Sequence, residues 1–195
     1  MSNAENAGNA YPEYREAHPG RREGADPLLL ADRKAAYAQR FVGYVDLSAK
    51  LEQWTKDSIV VLSNGSFTAL RITKESKQQA RQVLVERYGR RTVRYRLLAI
   101  LIYLVIQDHL EQIDTLYIDR DYEGAEAEAT IKNLLLHLLR RNGYERQASF
   151  VHFANVRGSV ADTMARRIYL GKESPPTKLT WEAIHTQIQK LGKVT

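Results

Sequence analysis

Four aspartates carry the chemistry this chain could do. Asp46 lies inside the apolar stretch Phe41–Ser48 (FVGYVDLS), Asp119 closes Thr115–Asp119 (TLYID), Asp121 follows two residues later, and Asp162 sits in Gly158–Arg166 (GSVADTMAR). An acid in the middle of an apolar strand is costly unless a cation, a hydrogen bond or solvent meets it. Several such carboxylates brought together repel one another, and Mg²⁺ or Mn²⁺, which favour oxygen ligands, relieve the repulsion. Two metals about 4 Å apart then clamp the attacking and leaving oxygens of a phosphodiester. Singly, Asp119 and Asp121 read equally well as loop acids, and Asp162 as a carboxylate favoured by a helix N-terminus. What unites them is the order of the elements that carry them.

Those elements divide by hydrophobic period. Phe41–Ser48, Ser58–Ser63 and Ser66–Ile72 read as three antiparallel strands, with Asn64-Gly65 between the last two as a type I′ hairpin turn. Lys74–Tyr88 is an amphipathic helix with Ala80, Val83 and Leu84 inward, ended by Gly89, and Thr92–Gln112 is a second helix, apolar nearly all round in its middle. Thr115–Asp119 is a strand, Gly124–Arg141 a helix, Ser149–Val156 a strand and Ser159–Tyr169 a helix. Glu173–Lys178, with Pro175 and Pro176, reads as a linker to a final helix whose stripe is Trp181, Ile184, Ile188 and Leu191. Strands first in hairpins and then in βα units predict an α/β mixed sheet. Residues 1–25 hold almost no large aliphatics and are expected to be a disordered tail; Asp26-Pro27 opens a short helix through Arg40. The predicted organisation is thus a tail (1–25), one domain (26–172), and a linker with a C-terminal helix (173–195).

Composition narrows the classes. With no cysteine among 195 residues, disulfide scaffolds, thiolate zinc sites and cysteine nucleophiles are excluded. The longest apolar run, Leu97–Ile106, is half the length of a bilayer span, and no secretory signal is visible, so a soluble cytoplasmic protein without membrane contact is expected. The net charge of +6 is unevenly distributed. Residues 71–96 hold nine basic residues against two acids, whereas residues 114–128 hold six acids against Arg120 alone. A basic track beside an acidic patch suits a nucleic-acid partner, with Arg71, Lys74, Arg90, Arg91, Arg94, Arg96 and Arg157 as candidate phosphate contacts. A solvated helix face is the plain alternative for such a run.

In this order, three strands, helix, strand, helix, strand, helix, the chain resembles the ribonuclease H-like superfamily over roughly Phe41–Gly171. The segment Val156–Ala165 (VRGSVADTMA) looks like that family's closing motif, an Ala-Asp pair opening a helix after a Gly-containing loop. The resemblance implies metal-holding acids on the first strand (Asp46), at the end of the fourth (Asp119) and on the last core helix (Asp162), with Asp121 or Glu123 as an auxiliary acid. Two positions depart from the pattern. No glycine follows Asp46 directly, and the glutamate expected early in the long core helix is replaced by Arg94-Tyr95-Arg96-Leu97-Leu98, leaving Glu86, Glu123 or Glu126 as substitutes.

The function expected is a divalent-metal nuclease or related phosphoryl-transfer domain. The alternative is a catalytically inactive domain of the same fold that binds nucleic acid or protein. A third reading, a Toprim-like domain, rests on Asp119-Arg120-Asp121 but lacks a glutamate in Leu62-Ser63-Asn64-Gly65. The five histidines (His18, His109, His137, His152, His185) show no metal-ligand spacing. Tyr88, Tyr95 and Tyr103 near the basic stretch are candidates for base stacking, with core packing the stronger reading for Tyr103.

Overall fold

The computed structural model describes residues 40–122, 124–173 and 176–192. The expected tail, and the opening helix as far as residue 39, lie outside the described residues, as do Glu123, Ser174 and Pro175; Arg40, that helix's expected last residue, is not helical. The elements are β1 (Phe41–Ser48), β2 (Ser58–Ser63), β3 (Phe67–Ile72), α1 (Lys74–Tyr88), α2 (Val93–Ile106), β4 (Ile113–Asp119), α3 (Ala125–Arg141), β5 (Val151–Ala154), α4 (Val160–Tyr169), β6 (Thr177–Lys178) and α5 (Trp181–Lys190). The strands form one mixed sheet in the order β5-β4-β1-β2-β3-β6. β2 runs antiparallel to β1 and β3, while β4 lies parallel to β1, β5 parallel to β4 and β6 parallel to β3.

The sheet has two unequal faces, and β1 shows why. Gly43, Val45 and Leu47 alternate onto one face and are buried, whereas Val42, Tyr44 and Asp46 point to the other. The first face carries the main core, with Leu62, Ile72, Leu116 and Val151 against the helices. α2 lies across β2 and β3 with α1, α3 and α5 around it, so every side chain from Leu97 to Ile106 is buried. That is the physical meaning of its all-round apolar sequence. The second face is covered by α4, whose Ala161, Ala165 and Ile168 pack on Ile59 and Val61 of β2. Small side chains on α4 let it lie close over β1 and β2.

Gly43 is needed for packing rather than for its φ. A Cβ there would stand 3.1 Å from Leu116 Cδ1 and 3.1 Å from Leu62 Cδ1, both fully buried side chains with little room to give. Overpacking of this kind costs about 1–3 kcal/mol, offset by about 0.4–1 kcal/mol from a less flexible unfolded chain. Gly43→Ala is therefore expected to lower stability by about 1 kcal/mol in a denaturant melt, with an unchanged m-value.

Several expectations are adjusted. The β2–β3 hairpin is a three-residue loop, Asn64–Ser66, in which only Gly65 has positive φ (99°), so the type I′ turn does not form. Asn64 Oδ1 accepts instead from Ser66 N (3.2 Å) and Ser66 Oγ (2.8 Å), a side-chain turn that competes with the tighter one. α2 stops at Ile106 and a 3₁₀ turn, Gln107–His109, leads into β4, which starts at Ile113 to pair with Phe41. β5 is short because Ala148–Phe150 forms a 3₁₀ turn before it. Within the expected linker, Thr177 and Lys178 pair with Leu70 and Arg71 as an edge strand. The C-terminal helix docks on its own domain: Ile184, Ile188 and Leu191 are fully buried in the main core, and Tyr88 Oη donates to Gly192 O (2.7 Å). Among the described residues no helix is long and apolar enough to cross a membrane.

Candidate metal centre

β1 and β4 are parallel neighbours with Val45 beside Ile118, so the next residues, Asp46 and Asp119, emerge side by side on the α4 face. β1 leads on to β2 on one side and β4 to β5 on the other, which makes the carboxyl ends of this pair a topological switch point where α/β sheets bind ligands. The chain leaving β4 bends at Asp121 and Tyr122, and Asp121 comes to the same place. Carboxylate oxygens of Asp46, Asp119 and Asp121 all lie within 4.8 Å of one another.

Each acid is held. Asp119 Oδ1 accepts from Val156 N (3.0 Å), which ties the end of β4 to the loop after β5. Asp162 lines the same cleft, but its Oδ2 accepts from Gly158 N (2.7 Å) while its own N–H donates to Ser159 Oγ (3.2 Å). This is a reciprocal cap of α4, the role a carboxylate in a helix's first turn is expected to take. The closest set is therefore Asp46, Asp119 and Asp121, with Asp162 on the cleft wall, instead of the sequence-derived trio Asp46, Asp119 and Asp162. The cleft, about 390 Å³, is also lined by Asn155, Arg157 and Arg166.

The electrostatics record the crowding. Burial, then the Asp121 and Asp119 charges, pushes the Asp46 carboxyl up to about 7, with Asp162 adding and a backbone hydrogen bond at Leu47 opposing. Burial and Asp119 push Asp121 up to about 6; Glu52 adds to this and Lys50 opposes it. Near neutral pH the cluster thus retains protons that a cation would displace. An all-oxygen donor set of this kind fits a hard divalent cation, and Asp46, Asp119 and Asp121 could hold one.

Of the remaining candidates, Glu123 lies outside the described residues. Glu86 is exposed and accepts from Gln82 Nε2 (3.1 Å), and Glu126 pairs with Arg91 (2.8 Å). Of the seven basic residues expected from the sequence to contact phosphate, Arg157 lines the acid cleft. Arg94 stacks over Tyr95 and Tyr122, the second of which follows Asp121, so the start of α2 borders the site; Arg90 and Arg91 are exposed. Arg71 is tied to Asp57, which also accepts from Lys74 N (2.7 Å). Arg96 packs its guanidinium 3.8 Å from the Tyr88 ring centroid with Nη1 buried and lacking a hydrogen bond, so it serves packing before phosphate contact.

Three cleft-side residues were not legible as such. Arg166 follows Asp162 by one helical turn, and the i, i+4 spacing could have flagged it. Asn155 follows β5 directly. Glu52 had no sequence signal: it lies in the β1–β2 connection and reaches the Asp121 turn by accepting from Tyr122 Oη (2.6 Å).

Fold and site together define a class: an α/β mixed-sheet domain with a cation-receptive carboxylate cluster at the ends of two adjacent parallel strands. No protein-family model matches the chain, and no curated protein or solved structure matches it significantly.

Proposed function

We propose that this chain is a divalent-metal-dependent nuclease or related phosphoryl-transfer domain of ribonuclease H-like fold, using Mg²⁺ or Mn²⁺ on nucleic acid. The observation that carries the reading is the convergence of Asp46, Asp119 and Asp121 within 4.8 Å in a cleft that also holds Arg157 and Arg166. Carboxylates alone suit many cations; carboxylates with two guanidinium groups lining the same cleft suit a cation and a phosphodiester together. A bound divalent cation supplies Lewis-acid polarisation of the phosphodiester. The chain's own groups do the rest. Asp46 and Asp121 release protons as the site loads, Val156 N–H fixes the direction of Asp119, and Arg157 and Arg166 orient the phosphate.

A second reading has one specific observation behind it. The start of α2 carries Arg94-Tyr95-Arg96 where the resemblance implies a glutamate, which favours an inactive nucleic-acid-binding or protein-interaction domain of the same fold. Incubation with single-stranded, duplex and hybrid substrates and Mg²⁺ or Mn²⁺, beside Asp46→Asn and Asp119→Asn, separates the two. Metal-dependent cleavage lost in both variants is expected. Cleavage surviving both would overturn the site, and salt-sensitive binding without cleavage would favour the inactive domain.

A further inference from the structure

On the α4 face three rings form a column across three strands, two of them lying two residues before the acids of β1 and β4. Tyr44 of β1 pairs with Tyr117 of β4, and Tyr117 with His152 of β5. The Tyr44 and Tyr117 rings stack with centroids 5.6 Å apart and planes 17° apart; Tyr117 and His152 stack at 5.3 Å and 29°. Tyr44 is 38% exposed, His152 is exposed, and Tyr117 is half-buried between them. His152 Nε2 lies 2.7 Å from Ser149 O, so the terminal ring is held in place rather than free to rotate. β5 is the last strand at this edge of the sheet, so the column ends at the edge on an exposed ring.

We propose that this column is a base-stacking subsite for unpaired nucleic acid, leading a single strand to the acid cleft; this rests on the nucleic-acid reading above. Tyr44 precedes Asp46, and Tyr117 precedes Asp119, by two residues on the same face, about 6.7 Å along each strand. One extended nucleotide covers that distance. A base that extends the column past Tyr44 is about one nucleotide step from the level of Asp46, within reach of the cleft that Arg157 lines. The rings are two phenols and an imidazole, with polar edges as well as π faces. Such a surface suits bases, which stack on aromatic faces and hydrogen-bond at their edges, better than an aliphatic protein surface. The bases of a duplex are already stacked and paired, so the subsite selects single strands.

The test is binding of a fluorescent oligonucleotide to the full chain in EDTA, where cleavage cannot intervene. Single strands are expected to bind more tightly than duplex, and Tyr44→Ala and His152→Ala each to weaken single-strand binding about 5- to 100-fold, the range for loss of one stacked base. An abasic strand of equal length should bind weakly and be insensitive to both variants. Tyr117→Phe, which keeps the ring, should retain binding and guards against a merely structural loss. Equal affinity for duplex, or equal loss on abasic and normal strands, would overturn the subsite. Stacking-dependent binding by a protein that never cleaves leaves the subsite standing while the nuclease reading fails. Metal-dependent cleavage of duplex unaffected by His152→Ala has the opposite meaning.

Discussion

Asp46→Asn is expected to abolish metal-dependent cleavage, by about a thousandfold or more, and at the same time to make the metal-free protein more stable above neutral pH. The first effect follows from removing one of three converging carboxylates, since metal electrostatics contribute several kcal/mol of transition-state stabilisation and each 1.36 kcal/mol is tenfold in rate. The second follows from linkage. Asp46 titrates near 7 in the folded protein, well above its ordinary value of 3.8, and Asp121 is raised in the same direction, to about 6. Between about pH 4 and 7 the folded state binds more protons than the unfolded state, so stability falls as pH rises through that window. Asn cannot ionise and escapes most of that loss. The wild type should recover it when the cation binds, by about 2.7 kcal/mol at a hundredfold excess over Kd. Thermal melts at pH 5.5 and 8, with EDTA or with Mn²⁺, check all of this. The wild-type Tm should rise with Mn²⁺ far more at pH 8 than at pH 5.5, and that of Asp46→Asn should ignore the metal. A metal-induced shift retained in Asp46→Asn would sink the assignment.

Lys77→Ala is expected to be the most destabilising single substitution outside the apolar core, by about 2–4 kcal/mol, or roughly 5–15 °C in Tm. Lys77 is fully buried on α1, and its Nζ donates to Gln53 O (2.9 Å) and Ser58 Oγ (2.9 Å), while Ser58 Oγ donates to Ala49 O (2.7 Å). One ammonium thus ties the middle of the β1–β2 connection to the start of β2, and Ser58 carries the tie on to Ala49, which holds a left-handed φ of 65°. Truncation leaves a cavity and a carbonyl without its donor. Lys77→Met restores most of the volume but not the hydrogen bonds and should recover only the packing share. Burial pushes Lys77 down to about 8, with Asp57 and Glu52 opposing. The folded state therefore binds fewer protons than the unfolded state between about pH 8 and 10, and Lys77 makes stability rise with pH across that range. Lys77→Met should lose that rise. The same connection carries Lys50 and Glu52, whose charges act on Asp121, so metal affinity should fall with stability in Lys77→Ala. Calorimetric titration of Mn²⁺ below the melting transition measures that coupling.

Both substitutions act at places with very different visibility in the chain. Asp46 could be singled out because a charge inside FVGYVDLS violates the strand's own pattern. Lys77 sits in a basic run where every neighbour suggests a solvated face, and only the docking of α1 over the β1–β2 connection takes its ammonium out of water. Arg96 was hidden in the same way, its guanidinium lying on Tyr88. A charged residue's type does not reveal its burial, because burial is set by neighbours far away in the chain.

What the sequence determined alone is what local period can encode. The three opening strands, the all-buried helix around Leu97–Ile106, the βα alternation and an acid at each of two strand ends all follow from side-chain alternation and capping within about ten residues. The tertiary structure decided which groups meet. Register set Asp46 beside Asp119, and the bend after β4 brought in Asp121. Asp162 went to cap its own helix, because two local hydrogen bonds were available to it. Pairing across β1, β4 and β5 aligned Tyr44, Tyr117 and His152, residues far apart in sequence, and neither Thr177–Lys178 nor α5 had a destination until the sheet edge and the helical layer existed. Each depends on strand order and loop path, which are global consequences of burying the whole core at once, and a local pattern carries no record of them.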